Sequence, residues 1–134
     1  MSKLSKLEER ANIVKYIYQY EVFNKSLEAK EAFESGEYSD KEIDTIEKIA
    51  KAYPKLKSLI SKFFRSDWKW NRIAPLERAI LLLGSYEMIG SDNALIINEM
   101  VILTKGYVPG DSYKFVNSVL DKVGGFYDKI KTSK

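Results

Sequence analysis

The chain has 134 residues, 45% of them hydrophobic and 31% charged, with a formal net charge of +3. That length suits one domain whose core is large enough to fold without metals or disulfides. Cysteine and histidine are both absent, which excludes disulfides, zinc centres, thiol nucleophiles and imidazole acid–base chemistry.

The segments between seven glycines and three prolines carry apolar residues at helical spacing. A first helix runs roughly from Ser5 to Phe23, striped by Leu7, Ala11, Val14, Tyr18 and Val22 and widened by Ile13, Ile17 and Tyr20. Ser26 suits the cap of a short second helix, with Glu28 and Glu31 near its positive end and Gly36 as its stop. Ser39, with Glu42 three residues on, predicts a capping box and a third helix carrying Ile43, Ile46 and Ile49. Pro54 lacks an N–H and crowds the preceding turn, so it breaks or kinks that helix before Leu56, Leu59, Ile60, Phe63 and Phe64 resume the pattern.

Ser66 to Ala74 reads as a loop in which Trp68 and Trp70 alternate, one packing into the core and the other open to solvent. Pro75 fits the first turn of a helix striped by Leu76, Ala79, Ile80, Leu83 and Tyr86. Gly90 to Asn93 closes it and opens another, with Ile97, Met100, Val101 and Thr104 on one side. After a turn at Val108-Pro109-Gly110, Asp111 or Ser112 caps a helix bearing Phe115, Val116, Val119, Leu120 and Val123, which Gly124-Gly125 stops before a short tail helix. The expectation is an all-α, single-domain bundle of seven to eight helices over residues 1–134. Met1 to Lys6 carries no apolar signal segment, and the longest apolar run, Ala79 to Leu83, is too short to span a bilayer. A cytoplasmic location without membrane partners is therefore expected.

Charge is segregated. Lys25 to Ala50 holds eight acidic residues and four lysines, a net of −4, whereas Lys51 to Arg72 holds seven basic residues and only Asp67, a net of +6. Such a segment is either a phosphate-facing surface or a solvated helix face. Lysines outnumber arginines eighteen to four, so bidentate guanidinium contacts are scarce. Lys3, Lys6 and Arg10 recur at three and four residues, a cationic stripe that leads to Tyr18 two turns later. Phosphate neutralisation followed by a stacking surface is what single-stranded RNA needs; burial of Tyr18 in the apolar stripe is the competing reading.

No pair of carboxylates in an apolar context is spaced for acid–base work, and there is no glycine-rich phosphate loop and no Gly-x-Ser-x-Gly turn. The expectation is a protein that is not an enzyme and needs neither metal nor cofactor. Asn98, in an opening helical turn, and Asn117, mid-helix, read first as structural hydrogen-bonding residues. Glu99 and Lys114 read as helix-bridging or surface charges.

Five short words recur in one order: Arg10-Ala11 with Tyr16-Ile17-Tyr18-Gln19; Trp68 and Arg72; Pro75 to Leu81; Ile97-Asn98-Glu99 with Thr104-Lys105; and Asp111-Ser112 with Lys114 to Asp121. Together they resemble the NusB family of transcription antitermination factors over about Arg10 to Lys122. The resemblance implies two small helical subdomains and a heterodimer with the small-subunit ribosomal protein NusE. It also implies binding of the single-stranded boxA element of nascent ribosomal RNA, within the antitermination complex of RNA polymerase. By position it would turn Arg10 and Tyr18 to RNA, with Lys3 and Lys6 ahead of them. Tyr107 and Lys114 would join the RNA surface, and Glu77 and Asp111 the adjoining partner surface.

Three departures stand out. Lys6-Leu7-Glu8-Glu9 replaces the family's arginine cluster, Ser91 to Ile96 carries no cation ahead of the Ile-Asn-Glu word, and Ser118 stands where glycine is common. The first two fit an alternative reading, a NusB-fold interaction module with weakened or lost RNA binding. A stand-alone relative of the NusB-like domain of ribosomal RNA methyltransferases is the other alternative; the chain has no methyl-donor domain and no cysteine for that reaction.

Overall fold

The computed structural model describes residues 5–132, so Lys3 lies outside the described residues. Six α-helices follow one another: α1 (Lys6–Val22), α2 (Lys30–Ser35), α3 (Asp40–Ser61), α4 (Pro75–Glu87), α5 (Asn93–Tyr107) and α6 (Ser112–Thr132). A 3-10 turn, Trp70–Arg72, lies between α3 and α4, and the described residues contain no strand. The all-α expectation holds, with six helices in place of seven or eight.

Two mergers account for the lower count. Pro54 sits inside α3 without ending it. A proline within a helix costs about 3 kcal/mol. Ile46 and Ile49 before it and Leu56 and Ile60 after it are all buried, each such side chain contributing about 1.5–3 kcal/mol. Burial on both sides of the proline outweighs the break. Gly124 and Gly125 likewise leave α6 running to Thr132. Asn93 Nδ2 donates to the Gly124 carbonyl at 3.1 Å, and a Cβ on Gly124 would lie 2.9 Å from that nitrogen. Glycine here admits a neighbouring side chain rather than terminating the helix. One turn on, the Tyr127 hydroxyl donates to the Ser85 carbonyl at 2.9 Å and pins the tail to α4.

The Ser39–Glu42 capping box forms, and Ser5 with Glu8 makes a second one at the start of α1. Ser26 does not cap α2, which begins after Ala29. The buried Tyr16 hydroxyl of α1 does that work instead, accepting from the Ala32 N–H at 3.2 Å and donating to the Glu28 carbonyl at 2.5 Å. Orphan donors at a helix start need a partner from somewhere, and here it comes from another helix. Gly36, at φ +72°, ends α2 as expected.

α4 is enclosed almost all round. Arg78 to Ser85 are buried without a gap, because α1, α3, α5 and α6 all pack on this helix. The one-sided stripe expected there is the central element of the core instead. On α1 the buried face is shifted toward one side of the expected stripe: Ala11, Ile13, Val14, Ile17 and Tyr20 are inside as expected and Tyr16 joins them, while Leu7, Tyr18 and Val22 reach solvent. α5 buries Ile96, Met100, Leu103 and Thr104, leaving Ile97 and Val101 only partly covered. Among the described residues no helix is long and apolar enough to cross a membrane.

Candidate nucleic-acid interface

Arg10 is not on an open cationic stripe. Its Nε and Nη2 donate to the two Glu87 oxygens at 2.9 Å each, and Nη1 lies 3.6 Å from Glu99. The hydrogen bond to Glu87 raises the guanidinium pKa further, against the opposing effect of burial. With 8% of its surface exposed, Arg10 ties α1 to the end of α4 and the middle of α5. The reason is register: the same rotation that brings Tyr18 out turns Arg10 in. Lys6 remains exposed at the first position of α1, beside the small groove that Arg10 and Glu87 line.

A second buried pair anchors the other end of α1. Arg78 Nε donates to Glu21 Oε1 at 2.6 Å, and its Nη1 donates to the Ile73 carbonyl at 2.6 Å. The Tyr53 hydroxyl donates to the other Glu21 oxygen at 2.5 Å, and its burial together with that bond raises its pKa. Arg78 also lies over the Trp70 ring, 5.9 Å from its centroid. The 65–74 loop is thus fastened from beneath, with Trp70 as its buried tryptophan; Trp68, expected to be open to solvent, is half-buried instead, because it packs on Phe115.

These anchors gather exposed aromatics and cations at one end of the bundle. Tyr18 is 39% exposed and Tyr107, the last residue of α5, 49% exposed. Lys15, one turn before Tyr18, holds its Nζ 5.1 Å above the Tyr107 ring. Lys105 stands 4.5 Å from the centroid of Tyr113 at the start of α6, and Lys114 follows beside it. Exposed rings with adjacent cations supply stacking and phosphate neutralisation together, the combination that single strands bind. Lys15, Lys105 and Tyr113 were missed from sequence. The available signal was Lys15 three residues before Tyr18, on the same helix side.

The expected partner residues border this end. Glu77 is partly buried in the first turn of α4. Asp111 is exposed and pairs loosely with Lys114 at 3.7 Å, and its carbonyl, not its side chain, accepts from the Lys114 N–H. Asn98 and Asn117 do not fill the structural role read for them. Both are exposed, and neither side chain hydrogen-bonds another described residue. Glu99 does bridge helices, through Arg10.

Fold and surface together define a small all-helical protein with a cation–aromatic face at one end. The NusB family profile matches residues 7–124, and the chain belongs to that family. It is 31% identical over 127 residues to the transcription antitermination protein NusB of Staphylococcus carnosus, covering 90% of this chain and 99% of that one. A Sulfurovum protein of the same name is 33% identical over 129 residues, covering 87% and 95%. The solved structure of T. maritima NusB superposes with a TM-score of 0.76 at 23% identity, over 92% of this chain and 93% of that one, and shares its fold.

Proposed function

We propose that the chain is a non-enzymatic, RNA-binding transcription antitermination factor. In this reading it pairs with the small-subunit ribosomal protein NusE and binds the boxA element of nascent ribosomal RNA, within the antitermination complex of RNA polymerase. The observation that carries it is the exposed Tyr107 ring with Lys15 over it and the exposed Tyr18 one turn beyond Lys15 on α1, on a chain whose relatives are named for antitermination. Two exposed rings and flanking lysines suit a short single-stranded element. Tyr18, Tyr107 and Lys114, with Lys6, are the RNA contacts proposed; Glu77 and Asp111 are the partner contacts proposed.

One observation favours the second reading, an interaction module with weakened RNA binding: Arg10 is engaged by two carboxylates, leaving the start of α1 few free cations. Binding of a boxA-containing RNA across a salt series, with and without NusE, separates the two. The antitermination reading expects measurable affinity that rises when NusE is added, because two surfaces then share one strand. No RNA binding in either condition, with NusE still captured, would establish the module.

A further inference from the structure

Of the four arginines, Arg10 and Arg78 are held by the carboxylates of Glu87 and Glu21. The other two converge on one ring. The guanidinium carbons of Arg65 and Arg72 lie 5.4 and 5.5 Å from the centroid of Trp68. Both arginines are exposed, and so are Lys62 and Lys69 on either side of the tryptophan. Beneath, Trp68 rests on Phe115 of α6 at a centroid distance of 5.8 Å, and Phe115 in turn meets the buried Phe64 at 5.9 Å. The ring is therefore seated on the core while cations cover its outer side. Asp67 makes an exposed 3.6 Å pair with Arg65, the weak kind that a phosphate displaces.

This cluster adjoins the surface already described. Arg72 leads through Ile73 into Pro75 and Leu76, and Leu76 lines the same small groove as Lys15 and Tyr107. The loop is held in place, since Arg78 hydrogen-bonds the carbonyls of both Trp70 and Ile73. A guanidinium beside an indole offers a plane for a base and a donor fork for a phosphate at once. An acidic peptide would use the fork alone.

We propose that Arg65, Trp68 and Arg72 form a second contact for single-stranded RNA, continuing the track from Tyr18 and Tyr107 across the start of α4. The cluster supplies the guanidinium contacts that the start of α1 lacks. This proposal rests on the RNA-binding reading above.

The test is binding of a boxA-containing single-stranded RNA of about 16 nucleotides to the full chain across a salt series, with and without NusE. The double variant Arg65→Ala/Arg72→Ala is expected to lose affinity about tenfold and to flatten the log K against log[salt] slope by about 1.4, two phosphate contacts on a single strand. Its melting temperature should be unchanged, because both side chains are exposed. Arg72→Lys alone should keep the wild-type slope but lose affinity, since the charge stays without the planar group. Tryptophan fluorescence should be quenched by RNA in the wild type and much less so in Trp68→Phe.

Wild-type affinity and slope in the double variant, with Tyr18→Ala still weakened, would overturn the second contact and leave the RNA-binding reading standing. A variant that binds RNA normally but loses NusE would make the cluster a protein contact and overturn the proposal. A wild-type chain that binds no RNA in any condition overturns both.

Discussion

Arg10 on α1 and Glu87 at the end of α4 form a two-pronged ion pair, Nε to Oε2 and Nη2 to Oε1, with both distances 2.9 Å. Their side chains are 10% and 21% exposed, so each would be left largely buried without the other. Replacing Glu87 with alanine should therefore cost about 3 kcal/mol, the lower end for removing one partner of a buried pair, since Glu99 still faces the guanidinium. Arg10→Ala should likewise lower the denaturation midpoint and leave the salt slope of RNA binding unchanged. A flattened slope with normal stability would show instead that Arg10 leaves Glu87 to meet phosphate.

Tyr18→Ala should behave in the opposite way. The ring is exposed and makes no hydrogen bond to another described residue, so melting should shift little. Loss of a stacked base should weaken RNA binding by roughly 1–3 kcal/mol. A fall in melting temperature with unaltered affinity would assign the ring to packing alone.

Arg78→Lys tests the fastening of the 65–74 loop. Lysine keeps the charge toward Glu21 but cannot also reach the carbonyls of Ile73 and Trp70, which Arg78 contacts at 2.6 and 3.4 Å. The Ile73 carbonyl left without its donor and a weakened ion pair should together cost about 1–3 kcal/mol, while the Trp70 carbonyl still accepts from the Ile73 N–H. Hydrogen exchange should rise first in the 65–74 loop. Uniform protection in the variant would mean that the loop is held by Trp70 packing alone.

Stability should decline in alkali. Burial first, then bonding to Glu31 and Glu21 respectively, raises the pKa of Tyr20 and Tyr53 above the ordinary 10.0, and burial pushes Tyr127 up to about 12. An unfolded chain releases these protons from near pH 10, whereas the folded chain keeps them. The contribution is therefore complete below pH 10 and is lost as pH rises through the folded values, by up to about 1.4 kcal/mol per proton for each pH unit. Melting temperatures between about pH 8 and about pH 11 should fall, and less steeply in Tyr53→Phe. A pH-independent melting temperature over that window would remove these tyrosines from the account.

What the sequence determined by itself was whatever rests on neighbours in the chain. The Ser39 capping box, the αL stop at Gly36 and Pro75 at the head of α4 depend on spacings of a few residues, and all are present. The family words were legible for the same reason, being contiguous. Only the tertiary structure decided the rest. Whether Pro54 and Gly124 end a helix depended on what packs against them: burial on both sides carried α3 through Pro54, and the bonds from Asn93 to Gly124 and from Tyr127 to Ser85 carried α6 past its glycines. Whether Arg10 or Tyr18 faces solvent depended on the rotation of α1 against α4, about 80° separating two residues eight apart on a helix. No local pattern shows that Glu87, 77 residues away, stands ready to receive Arg10. The pairing of Arg65 and Arg72 over Trp68 was hidden similarly, because side-chain direction in a loop is set by the core beneath it, here Phe115 from α6.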